Sequence, residues 1–216
     1  MRKSTFIHHA TRGGKLSIPH LKDLLNASYD NKTDKVGDFL LDKDISSKTS
    51  KVYVNPNTGQ SVVAHRGTSG ISDWLNNAVY AYGGVKAYQY TPRYKEAERV
   101  QHRAEAKYGR SKVSTVGHSQ GALQSELLGK NSNEIITLNK ATRPFGNKKQ
   151  NNQYDIRTEK DIVSRLNPFQ GKSKNDIVIP SDKKSSYLQE HGIDTLDRLG
   201  NIEVGRGFIF HYHHYL

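Results

Sequence analysis

A chain of 216 residues can bury one good core and suits a single domain. Its 33 Lys and Arg against 21 Asp and Glu give a net charge of +12, which favours anionic partners: nucleic acid, an acidic membrane surface or a charged substrate. The absence of cysteine excludes disulfides, thiolate metal sites and a Cys nucleophile. Recurrent apolar segments and an aromatic content of 9% argue against a basic disordered chain.

Residues 1–18 are polar and contain Gly and Ser, so they are expected to be loosely ordered. They begin basic but carry no apolar run of a signal peptide. Nowhere do the ~20 apolar residues of a membrane-spanning helix occur together, so a soluble protein is expected. Leu21, Leu24, Leu25 and Tyr29 have helical spacing. Phe39-Leu40-Leu41 reads as a short strand. Val52-Tyr53-Val54 and Ser61-Val62-Val63-Ala64 read as two more, joined by the turn-forming Asn55-Pro56-Asn57-Thr58-Gly59. Tyr94, Ala97, Val100, Ala104 and Tyr108 predict a helix over 93–108, with Gly109 as its C-cap. Lys112 to Val116 is a strand, and 122–128 a helix ending at Gly129. Glu134–Leu138, Gln153–Arg157 and Asp176–Ile179 are three further strands. Helix alternating with short buried strands predicts an α/β fold: a mostly parallel central sheet flanked by helices, in one domain spanning 1–216 without repeats or a linker.

Between the strand at 112–116 and the next helix lies Gly117-His118-Ser119-Gln120-Gly121-Ala122. This is G-x-S-x-G in a strand–turn–helix setting, which lifts a serine hydroxyl above the end of a sheet. The turn is sharp, and glycines on either side avoid a clash. It also leaves the Gln120 backbone N–H at a helix start, where it can bind an oxyanion. A bare G-x-S-x-G is common by chance, so its setting and its partners must carry the argument.

A nucleophilic serine needs a base, and the base needs an orienting carboxylate. On this kind of fold they follow in the order Ser, acid, His. After the strand at 153–157 comes Glu159-Lys160-Asp161, and farther on lies His191. Three imidazoles in the tail, His211, His213 and His214, compete for the role of base. Their spacing also suggests a metal site, but no carboxylate lies nearby in sequence, and a polar edge strand is the plainer reading. His65 and His118 flank catalytic positions and read as packing or hydrogen-bonding neighbours.

Taken together these segments resemble the class 3 lipases, the fungal-type triacylglycerol lipases of the α/β-hydrolase superfamily. Val62-Val63-Ala64-His65-Arg66-Gly67-Thr68 with Asp73-Trp74-Leu75 is similar to the family's strand, Arg-Gly-Thr turn and downstream Asp-Trp. Gly117 to Ala122 is similar to its Gly-His-Ser-x-Gly-Gly elbow, and Asp161-Ile162-Val163-Ser164-Arg165-Leu166 to its acid loop. The resemblance covers about residues 20–200. It implies an α/β-hydrolase fold, with Ser119 as nucleophile, Asp161 as the triad acid and His191 as the base. It also implies an oxyanion hole formed by Thr68 and Gln120. This chemistry requires neither cofactor nor metal. Gln120 stands where the family has an apolar residue, Ala122 replaces the second elbow glycine, and His65 replaces a common Phe. The interval from Ser119 to His191 is short for the family.

The resemblance implies hydrolysis of lipid esters, as by a lipase or esterase. Phospholipase, acyltransferase and amidase chemistry use the same triad and stay open. The tyrosine-rich segment 79–92 lies where such lipases carry a lid, and reads equally as an ordinary connection. Lys148-Lys149, Lys172 with Lys174 and Lys183-Lys184 would attract an anionic membrane surface, or are simply solvated. From another class, a nucleic-acid-binding protein on a retired hydrolase scaffold has only the net charge in its favour, since no DNA- or RNA-binding signature is present. The oligomeric state is not legible.

Overall fold

The computed structural model describes residues 16–68, 85–141, 150–165 and 175–205. Its first elements are β1 (Leu16–Ser17) and α1 (Ile18–Tyr29). Then come β2 (Lys35–Val36), β3 (Phe39–Leu41), β4 (Ser50–Val54) and β5 (Ser61–His65). Two helices, α2 (Val85–Gln89) and α3 (Pro92–Tyr108), lead to β6 (Val113–His118) and α4 (Gln120–Leu128). β7 (Glu134–Leu138), β8 (Gln153–Thr158), the single turn α5 (Ile162–Arg165) and β9 (Asp176–Ile179) follow. α6 (Tyr187–His191), a 3-10 segment at Ile193–Leu199 and β10 (Glu203–Val204) complete the described chain.

Eight strands form one sheet in the order β2-β3-β4-β5-β6-β7-β8-β9. The first four are antiparallel to their neighbours, as the turn at 55–59 requires. From β5 onward every pairing is parallel. Alternation along the strands assigns the two faces. Val62, Ala64, Val116, Ile136 and Leu138 pack with Leu21, Leu24 and Leu25 of α1 and with Leu196. On the other face, Val52, Val63 and Val113 meet Val100 and Ala104 of α3. Tyr94 and Ala97 meet Leu123, Leu127 and Leu128 of α4. The sheet is thus covered on both sides, and five successive parallel strands present their C-terminal ends along one edge, where loops of such sheets gather ligands.

Local signals explain the helix limits. Ser17 caps α1, with its hydroxyl accepting from His20 N–H, and Thr91 caps α3 through Tyr94 N–H; a proline follows each cap. α3 stops at Gly109, whose φ of 84° is in the left-handed region. Of the segment expected to be loose, Leu16 to Ile18 are in fact tied down: Leu16 pairs with Val204, and Ile18 N–H donates to Ile202 O. Leu16 and Ile18 are apolar enough to join the core, which offsets the polar composition before them. Residues 1–15 lie outside the described residues, as do 79–84 of the lid candidate, Lys148, Lys149, Lys172, Lys174 and the tail histidines.

Candidate functional site

β6 ends at His118, and α4 begins at Gln120, so Ser119 makes the whole turn between them. Its φ of 57° and ψ of −123° are strained for a residue with a Cβ. The two glycines of the motif have measurable reasons. A Cβ on Gly117 would lie 2.3 Å from the Gly121 carbonyl oxygen, and one on Gly121 would lie 2.1 Å from the His65 carbonyl oxygen. α4 therefore starts in backbone contact with the ends of β5 and β6. The Ser119 N–H donates to Leu138 O, and Ser119 O accepts from Ala141 N–H, which stitches the turn to the end of β7. Ser119 is 4% exposed. The Gln120 side chain is half-buried, with Oε1 lacking a hydrogen-bond partner.

The loop after β8 supplies Asp161, fully buried at 0% exposure. Its Oδ1 accepts from Val163 N–H and its Oδ2 from Ser164 N–H, so the carboxylate caps the short helix α5. The same Oδ1 lies 2.7 Å from Nδ1 of His191, which is 7% exposed. The structure thus joins the two partners that sequence order proposed from positions 30 residues apart.

Backbone anchors hold His191 in place. Asn139 Nδ2 and Thr158 Oγ1 both donate to the Glu190 carbonyl, at 3.0 and 2.8 Å. Asn139, at the end of β7, takes a positive φ of 44° and accepts from Thr158 N–H as well. The Glu190 carboxylate receives a two-pronged bond from Arg198, at 2.8 and 2.9 Å, and a further one from the Ser185 hydroxyl. Burial opposes that charge, yet Arg198 and Ser185 hold the carboxyl down at about 2.

His118 completes the frame. Its Nε2 is 2.7 Å from the His191 carbonyl, which only accepts, so the proton sits on Nε2. Nδ1 must then accept from the Tyr29 hydroxyl at 2.8 Å, whose oxygen in turn accepts from Gly67 N–H at 2.8 Å. One chain of hydrogen bonds runs from the turn after β5, through the end of α1, to the backbone of His191. Burial, aided by the neighbouring His191, holds the His118 imidazole neutral, with a pKa of about 3. Its ring centroid lies 4.9 Å from that of His191. Burial likewise lowers His65 to about 4, and its Nδ1 meets the Ser50 hydroxyl at 2.8 Å. Both histidines are hydrogen-bonding neighbours, as their positions suggested.

Thr68, half-buried, follows Gly67 directly. A Cβ on Gly67 would lie 3.0 Å from Ser119 Cβ and 3.0 Å from the His118 carbonyl oxygen, so this turn passes against the elbow. In the lid candidate, Tyr88 packs edge-on to Tyr94 with centroids 5.5 Å apart, whereas Tyr90 is 81% exposed. Lys183 and Lys184 are exposed in the turn before α6. Among the described residues no cluster of three or more metal-ligating side chains occurs, and no helix is long and apolar enough to cross a membrane.

Sequence reasoning missed Tyr29, Asn139 and Glu190 as parts of this frame. Tyr29 read as an apolar helix position. The one local hint was Asn139, an Asn at a strand end, a residue type that tolerates positive φ.

No protein-family model matches the chain, and no curated protein matches it. Among solved structures it is similar to the Lip2 lipase from Yarrowia lipolytica, at 14% identity over 75% of this chain and 77% of that one, with a TM-score of 0.51. It is also similar to a triacylglycerol lipase from Penicillium expansum, at 16% identity over 76% and 77% of the two chains, with a TM-score of 0.48. The extracellular lipase LipA from Serratia marcescens matches at 18% identity, 76% of this chain against 29% of that one, and a TM-score of 0.39. A parallel sheet covered on both faces, a strand–elbow–helix at its edge and the likeness to the Yarrowia structure make the fold that of an α/β-hydrolase.

Proposed function

We propose that the protein is a serine hydrolase that cleaves carboxylic esters of lipids through an acyl-enzyme, as a small single-domain relative of the class 3 lipases. The observation that carries the reading is the 2.7 Å hydrogen bond between His191 Nδ1 and the buried Asp161 carboxylate, at the sheet edge where Ser119 stands on its elbow. An ionised carboxylate only accepts, so Nδ1 bears the proton and Nε2 is the basic nitrogen. Ser119 Oγ attacks the ester carbonyl while His191 Nε2 takes its proton. The backbone N–H groups of Gln120 and Thr68 receive the oxyanion, each worth about 3–4 kcal/mol in the transition state. His191 returns the proton to the leaving alkoxide. A water activated by the same nitrogen then releases the acid and restores Ser119.

Lipid esters are favoured because Lip2 from Yarrowia lipolytica, whose structure this chain resembles over 75% of its length, is a lipase. The excess of positive charge, with Lys183 and Lys184 exposed near α6, supports an anionic interface as the place of work. Fluorophosphonate labelling followed by peptide mapping tests the reading. Ser119 is expected to be the one labelled serine, and Ser119→Ala to be folded and unlabelled. A wild-type protein that resists the probe, or is labelled elsewhere, sinks it.

A further inference from the structure

The turn after β5 is held by a side chain that the proposed chemistry leaves unused. Arg93 rises from the first turn of α3, and its Nη2 donates to the carbonyls of both Arg66 (2.5 Å) and Gly67 (2.8 Å). Of the charged side chains around it, the Glu96 carboxylate one turn along α3 favours its charge and the Arg66 guanidinium opposes it. Its Nε is buried without a hydrogen-bond partner among the described residues, and burial lowers its pKa from the ordinary value. A guanidinium drawn partly out of water is costly even with a carboxylate on the next turn, so its place calls for a reason.

Peptide planarity supplies one. Fixing the Gly67 carbonyl fixes the plane of the Gly67–Thr68 peptide, and trans geometry turns the Thr68 N–H to the side away from Arg93. A charge-assisted bond to that oxygen also polarises the amide and strengthens its N–H as a donor. The preceding unit is locked in the same manner, with its carbonyl on Arg93 and its N–H on Tyr29. The close approach of Gly67 to Ser119 puts this turn beside the nucleophile. Resting on the hydrolase reading above, we propose that Arg93 is a positioning residue for the reaction: it aims and polarises the Thr68 amide that receives the oxyanion. It acts through the peptide group rather than on the substrate.

The test separates this role from that of a brace. Arg93→Met keeps the stem and removes charge and donors. On a short soluble ester its kcat is expected to fall about 100-fold while KM changes less than about threefold, because an oxyanion contact is made in the transition state. Arg93→Lys, with the charge on a shorter reach, retains part of the rate. Guanidinium ion at a non-denaturing concentration restores part of kcat to Arg93→Gly, which a brace does not predict. Circular dichroism checks folding, and if Arg93→Met unfolds, Arg93→Lys decides by the same split of kcat from KM. A kcat within about twofold of wild type, or a loss confined to KM, overturns the proposal. When that happens in a wild-type background that labels at Ser119, the hydrolase reading stands and only the role of Arg93 falls. A wild-type protein that neither labels nor turns over ester overturns both.

Discussion

Among the buried polar networks of the described residues, two are built on opposite plans. Behind the sheet, Lys140 Nζ sits between Glu126 Oε2 (2.5 Å) and Asp155 Oδ2 (2.9 Å). Gln153 Nε2 bonds both carboxylates, and Thr137 Oγ1 donates to Asp155. This network is charged. Burial works against the ammonium, but Asp155 and Glu126 outweigh it and raise the Lys140 pKa above the ordinary value. The network at the sheet edge, from Gly67 through Tyr29 and His118 to His191, is neutral along its length and directional. It ends beside an imidazole whose second nitrogen is the proposed base. A charged cluster holds elements together; a neutral, directional chain holds a group in place and leaves its free nitrogen available.

Substitutions can break the two separately. The largest effect is expected at the edge: Ser119→Ala should lower kcat by about 10⁴–10⁶-fold with the fold intact. Adding His191→Ala or Asp161→Asn to Ser119→Ala should cost little more, because residues that act as one unit are strongly non-additive. If His191→Ala turns over at the native rate, the base has been misassigned. Behind the sheet, Lys140→Met removes the ammonium bonded to both Glu126 and Asp155 and should cost about 3–5 kcal/mol of stability by urea titration. The folded fraction should keep its kcat. A loss of kcat without a loss of stability would join the two networks that the comparison separates.

Acid sharpens the contrast. His118 and His65 titrate at about 3 and 4 when folded, against the ordinary 6.5 of an exposed imidazole. The unfolded chain therefore binds protons that the native one refuses, so stability should decline as pH falls from about 6.5 toward those values. Glu190, at about 2 against 4.5, adds a second loss below about pH 4.5, as its pairing with Arg198 is protonated away. Urea midpoints against pH should be flatter in His118→Gln across the upper window. A slope unchanged in that variant would mean that His118 is not held neutral.

Smaller effects come next. Tyr29→Phe removes the hydroxyl between Gly67 and His118, at an expected cost of about 1–3 kcal/mol from two groups left without a partner. It should reduce kcat more than it raises KM, and calorimetry beside steady-state kinetics reads both. Smallest of all, neutralising Lys183 and Lys184 should shift stability by less than about 0.5 kcal/mol. It should weaken binding to anionic vesicles and its dependence on salt, since exposed charges act through a field screened within about 8 Å. Unchanged vesicle binding would remove these two lysines from any membrane-facing role.

What could be read from the sequence divides along the same line. The elbow is local: Gly117, Ser119 and Gly121 sit in five consecutive positions, and their steric reason lies in the turn itself. The long helix 92–108 and the strands at 134–138 and 153–158 announce themselves by period and length. The two-residue strands Lys35–Val36 and Glu203–Val204 are too short for any period, and pairing with distant partners creates them. The supporting residues were illegible for a related reason. Tyr29 reaches His118 across 89 positions and Arg93 reaches Gly67 across 26, so the sheet order, and no pattern along the chain, brings them together. Pairing Asp161 with His191 was accessible only because the order of acid and base along such a fold is regular.

The parallel run of β5 to β9 bears on how the molecule is assembled. The turn proposed to bind the oxyanion follows β5, the proposed nucleophile β6, the proposed acid β8 and the proposed base β9, each pairing closing a long excursion of chain. No fragment ending before β9 contains His191, however well its earlier strands are paired. Such non-local pairings close slowly, since the entropy of each loop is lost before any contact rewards it. Regain of secondary structure and regain of a reactive Ser119 are therefore separate clocks during refolding. Reactivity is expected to keep the later time, because the proposed base lies on α6, beyond β9, the last strand of the parallel run.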